Sequence, residues 1–223
     1  MANFIGGIDE AGRGCVIGPL VVCLVSISEE KTEQLQKIGV KDSKLLSPEM
    51  RAKLAEKIKK IADLVKIQKI EVSKINKLTT LNNLNQIEIH AFCELIDQSR
   101  CDQIIIDSLE TNLKKFKEKI KNNLKNFDGE IIARNKADRD YIIVGAASII
   151  AKVERDNKIA HLYKQFGDFG SGYPSDEKTI YFLKEYYKKN HCWPNCARTC
   201  WDTLKQIKRK SNSNKQTTFD RLE

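Results

Sequence analysis

An opening pair of short apolar strands, followed by apolar strands that alternate with amphipathic helices, constrains this chain more than any other feature of its sequence. Phe4 to Ile8 reads as a strand ending at Asp9-Glu10, and Leu20 to Ile27 as a second, joined by a loop punctuated by Gly12, Gly14 and Gly18. Two strands so closely linked predict a hairpin. Ser47-Pro48-Glu49 starts a helix, with serine as cap and proline at the first helical position, and Met50, Leu54, Ile58, Ile61 and Val65 mark its face. Residues 65–72 shift to β-branched alternation, which predicts a strand. Leu84, Ile87, Ala91 and Leu95 mark the next helix, which leads to Gln103-Ile104-Ile105-Ile106-Asp107, an apolar strand that stops at a carboxylate. A helix faced by Leu113, Phe116, Ile120 and Leu124 follows, then a strand over 130–133 and a long helix from Asp138 to about Lys164. Helices over 176–190 and 195–208 complete a series that specifies an α/β sheet flanked by helices.

The chain has 223 residues, 41% apolar and 31% charged, which suits one soluble domain, with or without a small appendage. No stretch approaches the roughly 18 apolar residues of a membrane span. The start, MANFIGGIDE, lacks the basic head and apolar core of a signal peptide, so a cytoplasmic protein is expected. Residues 209–223 turn polar and read as a flexible tail. Seven cysteines, an odd number placed in apolar runs such as Val22-Cys23-Leu24, read as reduced thiols used as small hydrophobes. Cys192, Cys196 and Cys200 recur every four residues and would share a helix face, so a zinc site with His191 is the alternative to core packing. The net charge of +9 predisposes the protein to polyanions, of which nucleic acid is the commonest, and a lysine-rich solvated surface is the other reading.

Phosphodiester hydrolysis needs an activated water and relief of the charge that grows on phosphorus. Two divalent ions about 4 Å apart do both, and hard ions such as Mg²⁺ want carboxylate oxygens from several elements. Asp9 and Glu10 at the first strand end, Asp107 at the end of a central strand and Asp138 before the long helix are residues of that kind. Singly, each reads equally as a helix cap or a strand-end surface charge, and spacing alone does not establish that they converge. Ser148, Lys152 and Arg155, spaced i, i+4, i+7, share a helix face beside the apolar face of Ile143, Ala147 and Ile150. That face suits either a phosphate backbone or plain solvent. Only three histidines exist, none in a recognisable motif, and no serine or cysteine nucleophile arrangement is present.

Gly7-Ile8-Asp9-Glu10-Ala11-Gly12-Arg13-Gly14, continued by Ile17-Gly18-Pro19-Leu20-Val21-Val22, resembles the N-terminal signature of the ribonuclease HII family. Asp42-Ser43-Lys44 is similar to its next block. Lys136-Ala137-Asp138 with Ala146-Ala147-Ser148-Ile149-Ile150-Ala151-Lys152-Val153 and Arg155-Asp156 is similar to a third, and Gly170-Ser171-Gly172-Tyr173-Pro174-Ser175-Asp176 to a fourth. Arg198, Trp201 and Thr203 resemble the archaeal and eukaryotic branch. The resemblance spans residues 4–205, with Cys15 standing where the family usually has proline, and with 107–112 matching loosely, so that only Asp107 carries over from that stretch.

The resemblance implies a ribonuclease H-like fold: a central mixed five-stranded sheet flanked by helices over 1–165, and a helical region over 166–208 that completes the substrate cleft. It implies that Asp9, Glu10, Asp107 and Asp138 hold two Mg²⁺ or Mn²⁺ ions. The reaction implied is cleavage of the RNA strand of RNA–DNA hybrids, and 5′ of ribonucleotides embedded in duplex DNA, leaving 5′-phosphate and 3′-hydroxyl ends. Gly12, Arg13 and Gly14 would meet the 2′-hydroxyl and its phosphate, and Tyr173 would stack on the following deoxyribose; taken alone, Tyr173 reads as a buried loop aromatic. Lys44, Ser148, Lys152 and Arg155 are the phosphate candidates. A monomer is expected, with no membrane partner.

Gln216, Phe219 and Leu222 in the tail resemble a sliding-clamp-binding box, although Glu223 stands where its second terminal aromatic would be. An unstructured tail is the alternative. Two other functions remain: a related ribonuclease H without the single-ribonucleotide preference, and a non-catalytic nucleic-acid-binding subunit tethered to the clamp. Four acidic candidates argue against a pure binder, which would suffer their repulsion from phosphate without benefit.

Overall fold

The computed structural model describes residues 3–40, 46–79 and 83–219, with backbone alone at 210 and 212–219. The chain forms two compact units built from interleaved segments: the first takes Met1–Ala11, Leu20–Ile70 and Leu84–Asp156, and the second takes Gly12–Pro19, Glu71–Asn83 and Asn157–Glu223.

The first unit is a five-stranded mixed sheet. Strands β1 (Phe4–Ala11), β2 (Leu20–Ser28), β3 (Leu64–Ile70), β4 (Gln103–Asp107) and β5 (Glu130–Arg134) lie in the order β3-β2-β1-β4-β5. The β1–β2 and β2–β3 pairs are antiparallel, as the predicted hairpin requires, whereas β4 and β5 join parallel to β1. Its helices are α1 (Thr32–Lys37), α2 (Pro48–Ile61), α4 (Leu84–Ile96), α5 (Leu113–Asn123), α6 (Ala137–Asp140) and the first part of α7 (Ile142–Phe166); α3 (Val72–Leu78) belongs to the second unit.

Strand β2 is buried on both faces, which is why it reads as an unbroken apolar run. Val21, Cys23, Val25 and Ile27 share a core with Leu54, Ala55 and Ile58 of α2 and with Ile143, Val144, Ala147 and Ile150 of α7. Helix α2 starts where expected: Ser47 accepts a hydrogen bond from the Met50 amide at 3.2 Å, and Pro48 fills the first position. Such a cap contributes about 1 kcal/mol. Helix α7 lies so close to β1 that a Cβ on Gly7 would fall 2.5 Å from the Ile143 carbonyl, so position 7 accepts no side chain.

Several boundaries differ from the sequence expectation. Helix α2 ends at Ile61, where Ala62 turns extended, so Val65 belongs to β3 instead of the helix face. Asp138 does not open the long helix. It sits in the single turn of α6, and an extended Tyr141 (φ −120°) breaks the chain before α7 begins.

In the second unit, α8 (Glu177–Asn190) is capped by Asp176, which accepts from the Lys178 amide at 2.9 Å. Helix α9 (Asp202–Phe219) begins later than predicted, because 195–201 are turns around an isolated bridge from Ala197 to Ile17, and its backbone runs on through 209–219, where polar composition gave no helical signal. Val16, Ile17, Ile159, Phe169, Leu183, Leu204 and Ile207 form this unit's core. Among the described residues no helix is long and apolar enough to cross a membrane.

Candidate active site

Strand alternation decides which carboxylates meet. β1 and β4 pair in parallel with Ile8 opposite Ile106, so Asp9 and Asp107 are the next positions along, on neighbouring strands and on one face. Asp9 and Glu10 lie inside β1, which continues to Ala11, and are not at its end. Beyond β5 the chain turns sharply at Lys136, a non-glycine residue in left-handed conformation (φ 59°), and this turn sends the Ala137 amide to the Asp107 carboxylate at 3.2 Å. Asp138 follows immediately. One oxygen from each of Asp9, Asp107 and Asp138 lies within 4.8 Å of the others, and among the described residues this is the one group of three or more acidic, histidine or cysteine side chains so placed. Glu10 is partly buried and its amide donates to Asp9 Oδ1 at 2.8 Å, but its carboxylate is not part of that group.

Asp9 is buried, and desolvation pushes its pKa up to about 6, against the hydrogen bonds from Ser148 and the Glu10 amide; nearby Asp107 raises it and Lys152 lowers it. Three acids held this close repel one another, and a divalent cation among them removes both the repulsion and the desolvation cost.

The three residues expected to share a phosphate-facing stripe differ in burial and partners. Ser148 is fully buried and accepts from Lys152 Nζ at 2.9 Å as well as bonding Asp9, so its hydroxyl supports the carboxylate cluster. Lys152 is half-buried beside it. Arg155 is buried, with Nη1 at 3.4 Å from Asp156. In the loosely matching stretch after Asp107, Glu110 is ion-paired with Lys119 at 2.5 Å, which holds its carboxyl below the usual range and occupies it structurally.

In the second unit, Gly12 adopts φ 88°, a conformation that favours glycine, whereas Gly14 is exposed and a Cβ there would meet only the Tyr173 ring, at 3.9 Å. The Gly172 carbonyl accepts from the Val16 and Ile17 amides at 2.8 and 3.1 Å, tying the loop to the Tyr173 turn. Tyr173 is exposed, unlike the buried loop aromatic that was the other reading. The arginine of the C-terminal motif, Arg198, is fully buried, and its guanidinium donates to the carbonyls of Gly12, Arg13 and Gly18. Its place in the motif was visible in sequence; its role was not.

Cys192, Cys196 and Cys200 share no helix face, since 191–201 is not helical, and they form no ligand group. Burial pushes the Cys196 thiol up to about 12, which suits core packing. Lys44 and Leu222 fall outside the described residues. Gln216 and Phe219 lie on the α9 backbone, without described side chains.

A family-wide sequence profile described as Ribonuclease HII matches residues 6–204. The ribonuclease HII of Pyrococcus furiosus is 43% identical, over 98% of this chain and 97% of its own length. That of Methanocaldococcus jannaschii is 47% identical over 94% and 96%. Among solved structures, ribonuclease H2 from Pyrococcus horikoshii superposes with a TM-score of 0.87 at 41% identity, over 93% of this chain and 98% of that one. Ribonuclease HII of Archaeoglobus fulgidus, in a structure of its complex with PCNA, matches with a TM-score of 0.84 at 38% identity, over 91% and 96%.

Proposed function

Because the chain belongs to the ribonuclease HII family and is a type 2 ribonuclease H, we propose that its acidic cluster hydrolyses the RNA strand of RNA–DNA hybrids with Mg²⁺ or Mn²⁺, and also cuts 5′ of single ribonucleotides in duplex DNA. The observation that carries this reading is the meeting of Asp9, Asp107 and Asp138 from three separate elements, with oxygens within 4.8 Å. All-oxygen, acidic donors suit hard divalent ions. Glu10 completes the set through the family motif alone. Two bound ions would supply an activated water and charge relief at the leaving 3′ oxygen, so that the products carry 5′-phosphate and 3′-hydroxyl ends.

The protein's own groups hold that cluster ready. Ser148 and the Glu10 amide fix the Asp9 carboxylate, the Ala137 amide fixes Asp107, and Lys152 offsets part of the negative charge. Lys152 is then the phosphate contact that the geometry favours, with Ser148 and Arg155 acting from beneath and Lys44 carried by its motif. Gly12, Arg13 and Gly14 read the 2′-hydroxyl, and Tyr173 stacks on the next sugar, a reading supported by the exposed ring and the room at Gly14. The enzyme is taken to act as a cytoplasmic monomer, for which sizing chromatography is the check.

Cleavage of a labelled duplex carrying one ribonucleotide, beside Asp107→Asn, tests this function. A cut just 5′ of the ribonucleotide, lost with the substitution, is expected. No cut with either metal, on this duplex or a long hybrid, would leave a binding subunit as the better reading.

We also propose that Gln216, Phe219 and Leu222 dock a sliding clamp, a reading supported by the Archaeoglobus fulgidus homologue having been solved with PCNA. Deleting 214–223 is expected to abolish clamp pull-down and spare hydrolysis; pull-down that survives the deletion refutes it.

A further inference from the structure

Arg198 is the largest fully buried side chain of the described residues, and a guanidinium out of water is costly unless its N–H groups are satisfied. Here its acceptors come from one short loop. Nε donates to the Gly18 carbonyl at 2.9 Å, Nη1 to the Arg13 carbonyl at 2.9 Å and Nη2 to the Gly12 carbonyl at 2.7 Å, while the group lies 4.9 Å from the Trp201 ring centre. The backbone around it is already fastened without this side chain. The Arg198 amide donates to the Val16 carbonyl at 2.8 Å, Gly18 donates to Cys196 at 2.9 Å, and Asn76 grips both the Ala197 carbonyl and the Thr199 amide. Packing alone therefore does not call for an arginine fork.

What the fork adds is orientation. Among the described residues all peptide bonds are trans, so each carbonyl points opposite to the N–H of the next residue. Drawing the Gly12 and Arg13 carbonyls towards the buried guanidinium turns the Arg13 and Gly14 N–H groups away from it. Successive N–H groups aimed alike form a cradle for an anion or a hydroxyl oxygen. Gly14, exposed and without a side chain, leaves that approach open. A lysine ammonium radiates its donors from one atom and does not span three carbonyls.

We propose that Arg198 is a positioning residue for substrate recognition, whose three carbonyl bonds fix the Arg13 and Gly14 amides in the orientation that a ribose 2′-hydroxyl and its phosphate accept. This rests on the reading of the Gly12-Arg13-Gly14 loop given above.

The experiment compares kcat/KM on a duplex with one embedded ribonucleotide against a long RNA–DNA hybrid. A misplaced recognition group costs on the order of 100-fold. Arg198→Lys is expected to lose about that factor on the single ribonucleotide, and far less on the hybrid, where many riboses compete for the loop. The Tm rise on adding Mg²⁺ stays as in the parent. Parallel losses on both substrates, or an unchanged ratio, overturn the proposal. Asn76→Ser is the structural control: it is expected to lower the Tm and keep the ratio, and a ratio that falls as it does in Arg198→Lys assigns the effect to loosening and overturns the proposal. Gly14→Ala separates this idea from the loop reading. An unchanged ratio there sinks the loop reading itself, whereas loss in Gly14→Ala with retention in Arg198→Lys sinks only the role of Arg198. Should Arg198→Lys not fold, amide exchange decides in a protein silenced by Asp138→Asn. The Arg13 and Gly14 N–H groups must gain protection when the single-ribonucleotide duplex binds, and no gain overturns the proposal.

Discussion

Replacing Asp9 by asparagine is expected to stabilise the metal-free protein while removing its response to metal. Desolvation raises the Asp9 pKa from 3.8 to about 6 in the folded state. In the unfolded chain the group ionises near its ordinary value, so the folded state keeps its proton to higher pH. Its cost is absent below pH 4, grows between the two values and is complete above pH 6. At 1.36 kcal/mol per unit, the difference of roughly two units amounts to about 3 kcal/mol against folding at pH 8. Asparagine retains an oxygen that accepts from Ser148 and from the Glu10 amide but carries no charge to desolvate. For a chain of this size 1 kcal/mol moves Tm by about 2–4 °C, so Asp9→Asn is expected to raise the Tm in EDTA at pH 8 by about 6–12 °C. At pH 4 the two proteins should melt together, and Mg²⁺ or Mn²⁺ should raise the parent's Tm much more than the variant's. Thermal melts with and without metal at pH 4, 6 and 8 provide the assay. An unchanged or lower Tm for metal-free Asp9→Asn at pH 8, or a gap that does not close at pH 4, would refute the claim that desolvation of the Asp9 charge outweighs its hydrogen bonds.

Two further substitutions probe the same neighbourhood. Ser148→Ala removes a hydrogen bond that lowers the Asp9 pKa, so the carboxyl should titrate above pH 6 in the metal-free protein, as followed by carboxyl-carbon NMR; an unmoved midpoint rules out that bond. Gly7→Ala drives a methyl to within 2.5 Å of the Ile143 backbone, so α7 must shift; overpacking of this kind costs about 1–3 kcal/mol, and a denaturant midpoint equal to the parent's would refute the close approach.

The sheet was legible because its strands carry strong local signals: β2 as an apolar run, and β4 as Ile-Ile-Ile closed by Asp107. The convergence of the acids was not legible from spacing. It depends on β1 pairing with β4 in one register, and on a left-handed turn at Lys136 that a lysine does not advertise. Helix α7 hid its inward face for a different reason. From Ile143 to Ile150 every residue is buried, so the helical period has little contrast, and the small hydroxyl of Ser148 suits a core as well as a surface. Arg198 reads as a surface residue by type, and its three carbonyl acceptors, which no sequence pattern announces, account for its burial. Short helices such as α1 and α3 span too few turns for a periodic pattern to register.

The position of Gly7 and the acidity of Asp9 are consequences of one packing decision. Residues two apart on a strand face the same way, so Gly7 and Asp9 both face α7. The missing side chain at Gly7 lets α7 settle directly on β1, and that descent carries Ser148 to Asp9 and excludes water from the carboxylate. Whatever tightens this helix against the sheet therefore strengthens the core and raises the cost of the bare acid together. A cation offsets that cost when it binds, so the metal's affinity draws directly on packing energy at Gly7, which supplies no ligand oxygen. It follows that a substitution which lifts α7 from β1, as Gly7→Ala does, should weaken metal binding even though every carboxylate is retained.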